Sequence, residues 1–169
     1  MRITRYTSLN EQQFLGCTSA FVDSLTGELN GAALHIRKLE GRPKGAAFAY
    51  EMSLDRHRYG ALVVLDRWAA LVQAFGPHLQ LRDRPGMVSE AAGRVQAAEQ
   101  ILARANQLID AAPHYSHELA GACVLAFQSL AATFREEREA AGQAASLGPL
   151  LSDDFRQARR IFLEDLAAR

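Results

Sequence analysis

Apolar positions along this chain recur at steps of three and four, the period of one face of a helix. Phe14, Cys17, Phe21 and Leu25 line one side of a first helix. Ser8 stands three residues before Glu11, the spacing of a capping box at a helix N-terminus. Gly27 and Gly31 interrupt "SLTGELNGAAL". A glycine costs about 1 kcal/mol inside a helix, so a break or kink is expected there, followed by a second helix through Leu39. "EGRPKG", Glu40 to Gly45, reads as a loop. Ala61, Leu65, Trp68, Val72 and Phe75 then step by four, three, four and three, which predicts a helix with one apolar side. "AAFAYEMSL" before them also reads as helical, with a break near Ser53 to Asp55. The stretch from Gly76 to Gly86 makes the longest evident connection.

The next segment is the most regular. Val88, Val95, Leu102 and Ile109 share one heptad position, and Ala91, Ala98, Ala105 and Ala112 share the position three residues on. Small residues along this Val88–Ala112 seam let another helix approach closely. That neighbour is either the next helix of this chain or a second copy, a homodimer. Pro113 marks a turn. A helix from about Ser116 to Gln143 follows, with Leu119, Cys123, Ala126, Leu130 and Phe134 inward. After a charged and then Gly/Ala/Ser-rich linker, a last helix starts at Ser152. Asp153 and Asp154 complement its dipole, and Phe155, Ala158, Phe162 and Leu166 form its stripe. No segment alternates apolar and polar residues for long enough to suggest a strand. The expected architecture is all-α, an antiparallel bundle of about five or six helices with short loops, in one domain over residues 1–169.

Composition narrows the function classes. Hydrophobic residues make up 49% and charged residues 22%, as in folded chains. The 19 Lys+Arg balance the 19 Asp+Glu, which argues against a dedicated nucleic-acid binder. The balance is uneven: residues 1–85 hold 11 basic and 8 acidic groups, and residues 86–169 hold 8 and 11. Lys38 and Lys44 are the only lysines and alanine is abundant, a habit of GC-rich bacterial genomes. Cys17 and Cys123 show no CxxC spacing and read as small buried hydrophobes, with a disulfide between helices as the alternative. The N-terminus lacks the apolar run of a signal peptide, and no stretch approaches the ~20 apolar residues of a membrane span, so a cytoplasmic protein is expected.

The most chemical stretch is "AAPHYSHELAGAC", Ala111 to Cys123. His114, His117 and Glu118 crowd a predicted helix start. At about 100° per residue, His117 lies about 160° from Leu119 and points away from the core stripe. "HELAG", His117 to Gly121, resembles the phosphoacceptor box of histidine phosphotransfer domains, and "SHEL" resembles that of sensor histidine kinases. The resemblance implies an exposed imidazole on a bundle helix that accepts a phosphoryl group, with His117 in that role. Ala120 stands where the first box carries lysine. A metal reading joins His114, His117 and Glu118 with a ligand such as Asp55 or His57. The plainest reading is a polar helix start, with Ser116 capping and Glu118 facing the dipole. Asp66, on the edge of the best apolar helix, reads as the partner of an arginine.

The expected function is a non-enzymatic helical interaction module that binds another protein as an adaptor, chaperone or regulatory subunit, without a cofactor. The basic residues Arg37, Lys38, Arg42, Lys44, Arg82 and Arg84 are its candidate contacts. Phosphotransfer through His117 is the rival reading, and a bundle holding a small ligand or metal is the third.

Overall fold

The computed structural model describes residues 9–75, 87–146 and 153–168. They form five helices: α1 (Glu11–Leu39), α2 (Phe48–Phe75), α3 (Met87–Ala111), α4 (His117–Ser146) and α5 (Asp153–Ala167). The fold is an all-α bundle, and the described residues contain no strand.

The first helix begins with a capping box two residues later than the sequence suggests. Asn10 Oδ1 accepts from the Gln13 N–H at 2.8 Å, and Gln13 Oε1 accepts from the Asn10 N–H at 2.9 Å. Ser8 lies outside the described residues. The break expected at Gly27 and Gly31 is absent, because α1 runs uninterrupted to Leu39. Burial outweighs the glycine cost. Leu25, Leu29, Ile36 and Leu39 are fully buried through and beyond this segment. Each such side chain contributes about 1.5–3 kcal/mol, against about 1 kcal/mol lost per glycine. Nor is there a break at Ser53 to Asp55, where Leu54 is equally buried and α2 continues.

The long helix α1 packs against α2, α4 and α5. Its contacts with α2 and α4 run antiparallel: Phe21 meets Trp68 and Phe134 near one end, while His57 meets Gly31, and Glu40 meets His117, towards the other. Its contacts with α5 advance in the same sense on both helices, from Asn10 with Asp154 to Asp23 with Arg159. Gly16 allows this approach, since a β-carbon there would collide with the Phe155 carbonyl.

Trp68 is the centre of the aromatic core. It stacks on Phe21 at 4.9 Å between ring centroids, tilts against Phe14 at 5.4 Å and meets Phe162 edge-on at 6.1 Å. Four helices therefore share one aromatic cluster once Phe134 of α4 joins through Phe21, at 5.5 Å. Such ring pairs add to what area burial alone provides.

The expected inward residues of α5, Phe155, Ala158, Phe162 and Leu166, are all buried. On α4 the burial is wider than one stripe, taking in Ala120, Val124, Phe127 and Ala131 beside Cys123, Leu130 and Phe134. The seam of α3 closes within the chain. Ala91, Val95, Ala98, Leu102, Ala105 and Ile109 are buried, and α3 packs on α2 and α4. These six seam residues are thus covered within the chain, and Ala112, just beyond α3, is half-buried. The Val88 side chain lies outside the described residues. Cys17 and Cys123 are buried free thiols.

Candidate functional site

Two connections meet at one end of the bundle. Gly41 and Gly45, with φ of 79° and 84°, turn the chain between α1 and α2 in a conformation that favours glycine. This loop pairs with the connection between α3 and α4. The Gly41 N–H donates to the Tyr115 carbonyl at 2.6 Å and the Tyr115 N–H to the Arg42 carbonyl at 2.8 Å, with Pro43 opposite His114. Tyr115 is buried, and its hydroxyl donates to Glu51 Oε2 at 3.2 Å. Burial and the Glu51 carboxylate hold its phenol above the ordinary value. Glu51 Oε1 also accepts the Gly45 N–H at 2.9 Å.

The histidine stretch occupies the rim of this end. Ser116 caps α4, its Oγ accepting the Leu119 N–H at 3.1 Å. His117 is the first residue of α4 and its side chain is 83% exposed. Its Nδ1 lies 2.7 Å from Glu40 Oε1. In the neutral ring the Nδ1–H then donates to the carboxylate and Nε2 keeps its lone pair. His114 and Glu118 are exposed. Of the other suggested metal ligands, His57 bonds to Glu28 at 3.0 Å and Asp55 to Arg58 at 2.8 Å. Among the described residues, no three His, Cys, Asp or Glu side chains converge as a metal site would require.

The candidate basic contacts divide. Lys44 Nζ donates to the Ile109 carbonyl in the last turn of α3 and sits 4.9 Å over the Tyr115 ring. It neutralises a helix C-terminus and so holds the fold. Lys38 and Arg42 flank the ring of Tyr50, at 5.1 Å and 6.0 Å. Arg37 lines a shallow groove of about 310 Å³ with Glu40, Ala120, Gly121 and Leu125. Arg82 and Arg84 lie outside the described residues.

A second polar layer joins α2 to α3. Arg58 is only 7% exposed, yet it is fully engaged. Its guanidinium donates to Asn106 Oδ1 at 2.7 Å, Asp55 Oδ1 at 2.8 Å and Asp110 Oδ1 at 2.7 Å. These charge-assisted bonds are stronger than neutral ones and fix the helix register. Just outside this layer the surface turns apolar. Phe48, Met52 and Tyr59 are 71%, 53% and 68% exposed. At about 100° per residue they fall within about 40° of each other and about 180° from Trp68. Tyr59 continues into a groove of about 440 Å³ with Leu62, Val63 and Asp66 of α2 and Glu99 of α3. Asp66 is thus an exposed groove residue.

The sequence reading missed this face, though its signal is present. Phe48, Met52 and Tyr59 repeat at four and seven residues, out of phase with the stripe from Ala61 to Phe75. A helix apolar on two sides needs two neighbours. The α1–α2 crossing was hidden as well: Glu28 lies over Gly60 and His57 over Gly31, so each glycine admits the partner helix's polar side chain. No described helix is long and apolar enough to cross a membrane. Comparison with family models, with curated proteins and with solved structures finds no match.

Proposed function

We propose that this chain is a helical protein-interaction module and that its working surface is the outer face of α2. The observation that carries the reading is the row of exposed Phe48, Met52 and Tyr59. Single exposed apolar residues are ordinary on any protein. An aligned row that includes two aromatic rings and leads into a groove is the anatomy of a docking site, where aromatic anchors carry most of the binding energy. The rigid support for such a surface is at hand, because Arg58 locks α2 to α3 on the flank beside it.

Native mass spectrometry of the protein from its source cells tests this reading. Wild type is expected to carry a second polypeptide, and a Phe48→Asp/Tyr59→Asp variant to be recovered alone with an unchanged melting temperature. A lone chain from wild type, or a partner retained by the variant, would overturn it.

A second reading has its own observation. His117 is exposed at a helix N-terminus, with Nδ1 held by Glu40. A lone pair on Nε2 beside a helix dipole suits a phosphoryl acceptor. Incubation with a matched donor is then expected to give an acid-labile phosphate that a His117→Gln variant lacks. An unlabelled wild type ends this reading.

A further inference from the structure

We propose that the occupant of the α2 face is a cationic amphipathic helix of another protein, seated along the groove between α2 and α3. The proposal rests on the docking reading above and adds the chemistry of the partner. Its basis is the sign of the charges around the apolar row. On α2, Asp55 and Asp66 fall within about 20° of Phe48 at about 100° per residue. Side-chain exposure at Asp55 is 55%, and Asp66 opens directly into the groove. On α3, the flank turned towards α2 is fixed by the bonds of Arg58 to Asn106 and Asp110, and Glu99 lies on that flank in the groove wall.

Among the described residues, the arginines of α2 and α3 other than Arg58 lie off the α2–α3 groove. Arg58 is buried and already shared between Asp55 and Asp110. On α2 the exposed Arg56 falls about 40–60° from Met52 and Tyr59 and Arg67 about 80° from Tyr59, both on the flank of the row away from α3, and Arg94 and Arg104 fall about 120° or more around α3 from Asn106. An apolar strip bordered by carboxylates on its α3 side matches a helix with Leu- or Phe-type anchors on one face and Lys or Arg along the edge that meets α3. From Phe48 to Asp66 the strip is about 27 Å long, the length of about 18 helical residues. The carboxylates disfavour two other occupants. A second copy with its α2 antiparallel would set carboxylate against carboxylate, and an anionic membrane surface would be repelled by the groove.

The probe is a fluorescently labelled Leu/Lys amphipathic peptide of about 18 residues, titrated with the whole protein and followed by anisotropy, beside a Leu/Glu peptide of the same pattern. The Leu/Lys peptide is expected to bind at micromolar concentrations and the Leu/Glu peptide at least tenfold more weakly. An Asp66→Lys/Glu99→Lys variant should lose about tenfold in affinity, in line with two exposed ion pairs. An Asp153→Lys variant, changed on α5, should bind as wild type does. Equal binding of both peptides, abolished by Phe48→Asp/Tyr59→Asp, would overturn the cationic partner and leave the docking reading intact. Absence of Leu/Lys binding would overturn the proposal, as would a concentration-dependent dimer that the Phe48→Asp/Tyr59→Asp variant loses. Failure of the docking reading itself is separate, read from the recovery of wild type as a lone chain in the source-cell measurement.

Discussion

Individual residues in this bundle act through what lies against them, and glycines show it most sharply. Gly16 faces the Phe155 backbone, whereas a β-carbon at Gly27 would meet nothing within 4 Å. Gly16→Ala is therefore expected to push α5 outward and to cost about 1–3 kcal/mol. Gly27→Ala should stabilise by about 0.4–1 kcal/mol, because alanine fits the helix and narrows the unfolded ensemble. Urea unfolding of the two variants checks both signs. Cys17 offers a titration test. Burial, aided by the Asp165 carboxylate, pushes its thiol from 9.0 up to about 12. A raised acid favours the native state only while the unfolded thiol stays protonated. Stability should thus be level below about pH 9 and fall as pH rises towards 12, by at most about 1.4 kcal/mol per pH unit for this group. A Cys17→Ala variant should show a shallower alkaline slope in pH-dependent unfolding. An identical slope would show that the loss comes from other groups, of which Tyr115 and Cys123 are raised in the same direction.

At the scale of elements, the apolar period revealed most of the bundle. The described stripe residues within α2, α3 and α5 are buried where their spacing places them, since burial on one face is a local property of the sequence. What the period hid was tertiary. Gly31 reads as a helix breaker until the His57 ring is found lying on it, and Ser8 reads as the cap until Asn10 and Gln13 close the box. The same limit hid the tie between α2 and α3, because nothing in the spacing of Arg58, Asn106 and Asp110 announces their meeting. An Arg58→Lys variant tests that tie. One ammonium cannot serve three partners in the geometry of a guanidinium fork. With Asp55 and Asp110 left largely solvated, the expected loss is about 1–2 kcal/mol, or roughly 2–4 °C in melting temperature for each kcal/mol. A melting temperature equal to wild type would show that the tie contributes little.

For the whole molecule, the candidate site was the least legible part. The eye is drawn to "HYSHEL" because histidines are rare, yet exposure and a single carboxylate partner are what the fold gives His117. The basic loop residues looked like contacts, and Lys44 proves to hold the end of α3. The apolar row on α2 went unread beside the stripe from Ala61 to Phe75, since a sequence does not say which of two apolar sides faces inward. The account of function therefore turns on whether that row touches another protein. The most direct measurement is photocrosslinking in source cells with a benzophenone side chain placed at Tyr59, and at Leu125 on α4 as the control. Leu125 is similarly exposed, at 66%, but lies away from the α2–α3 groove. A discrete adduct with a second polypeptide is expected from position 59 and none from position 125. No adduct from position 59, or equal adducts from both positions, would overturn the α2 face as the working surface.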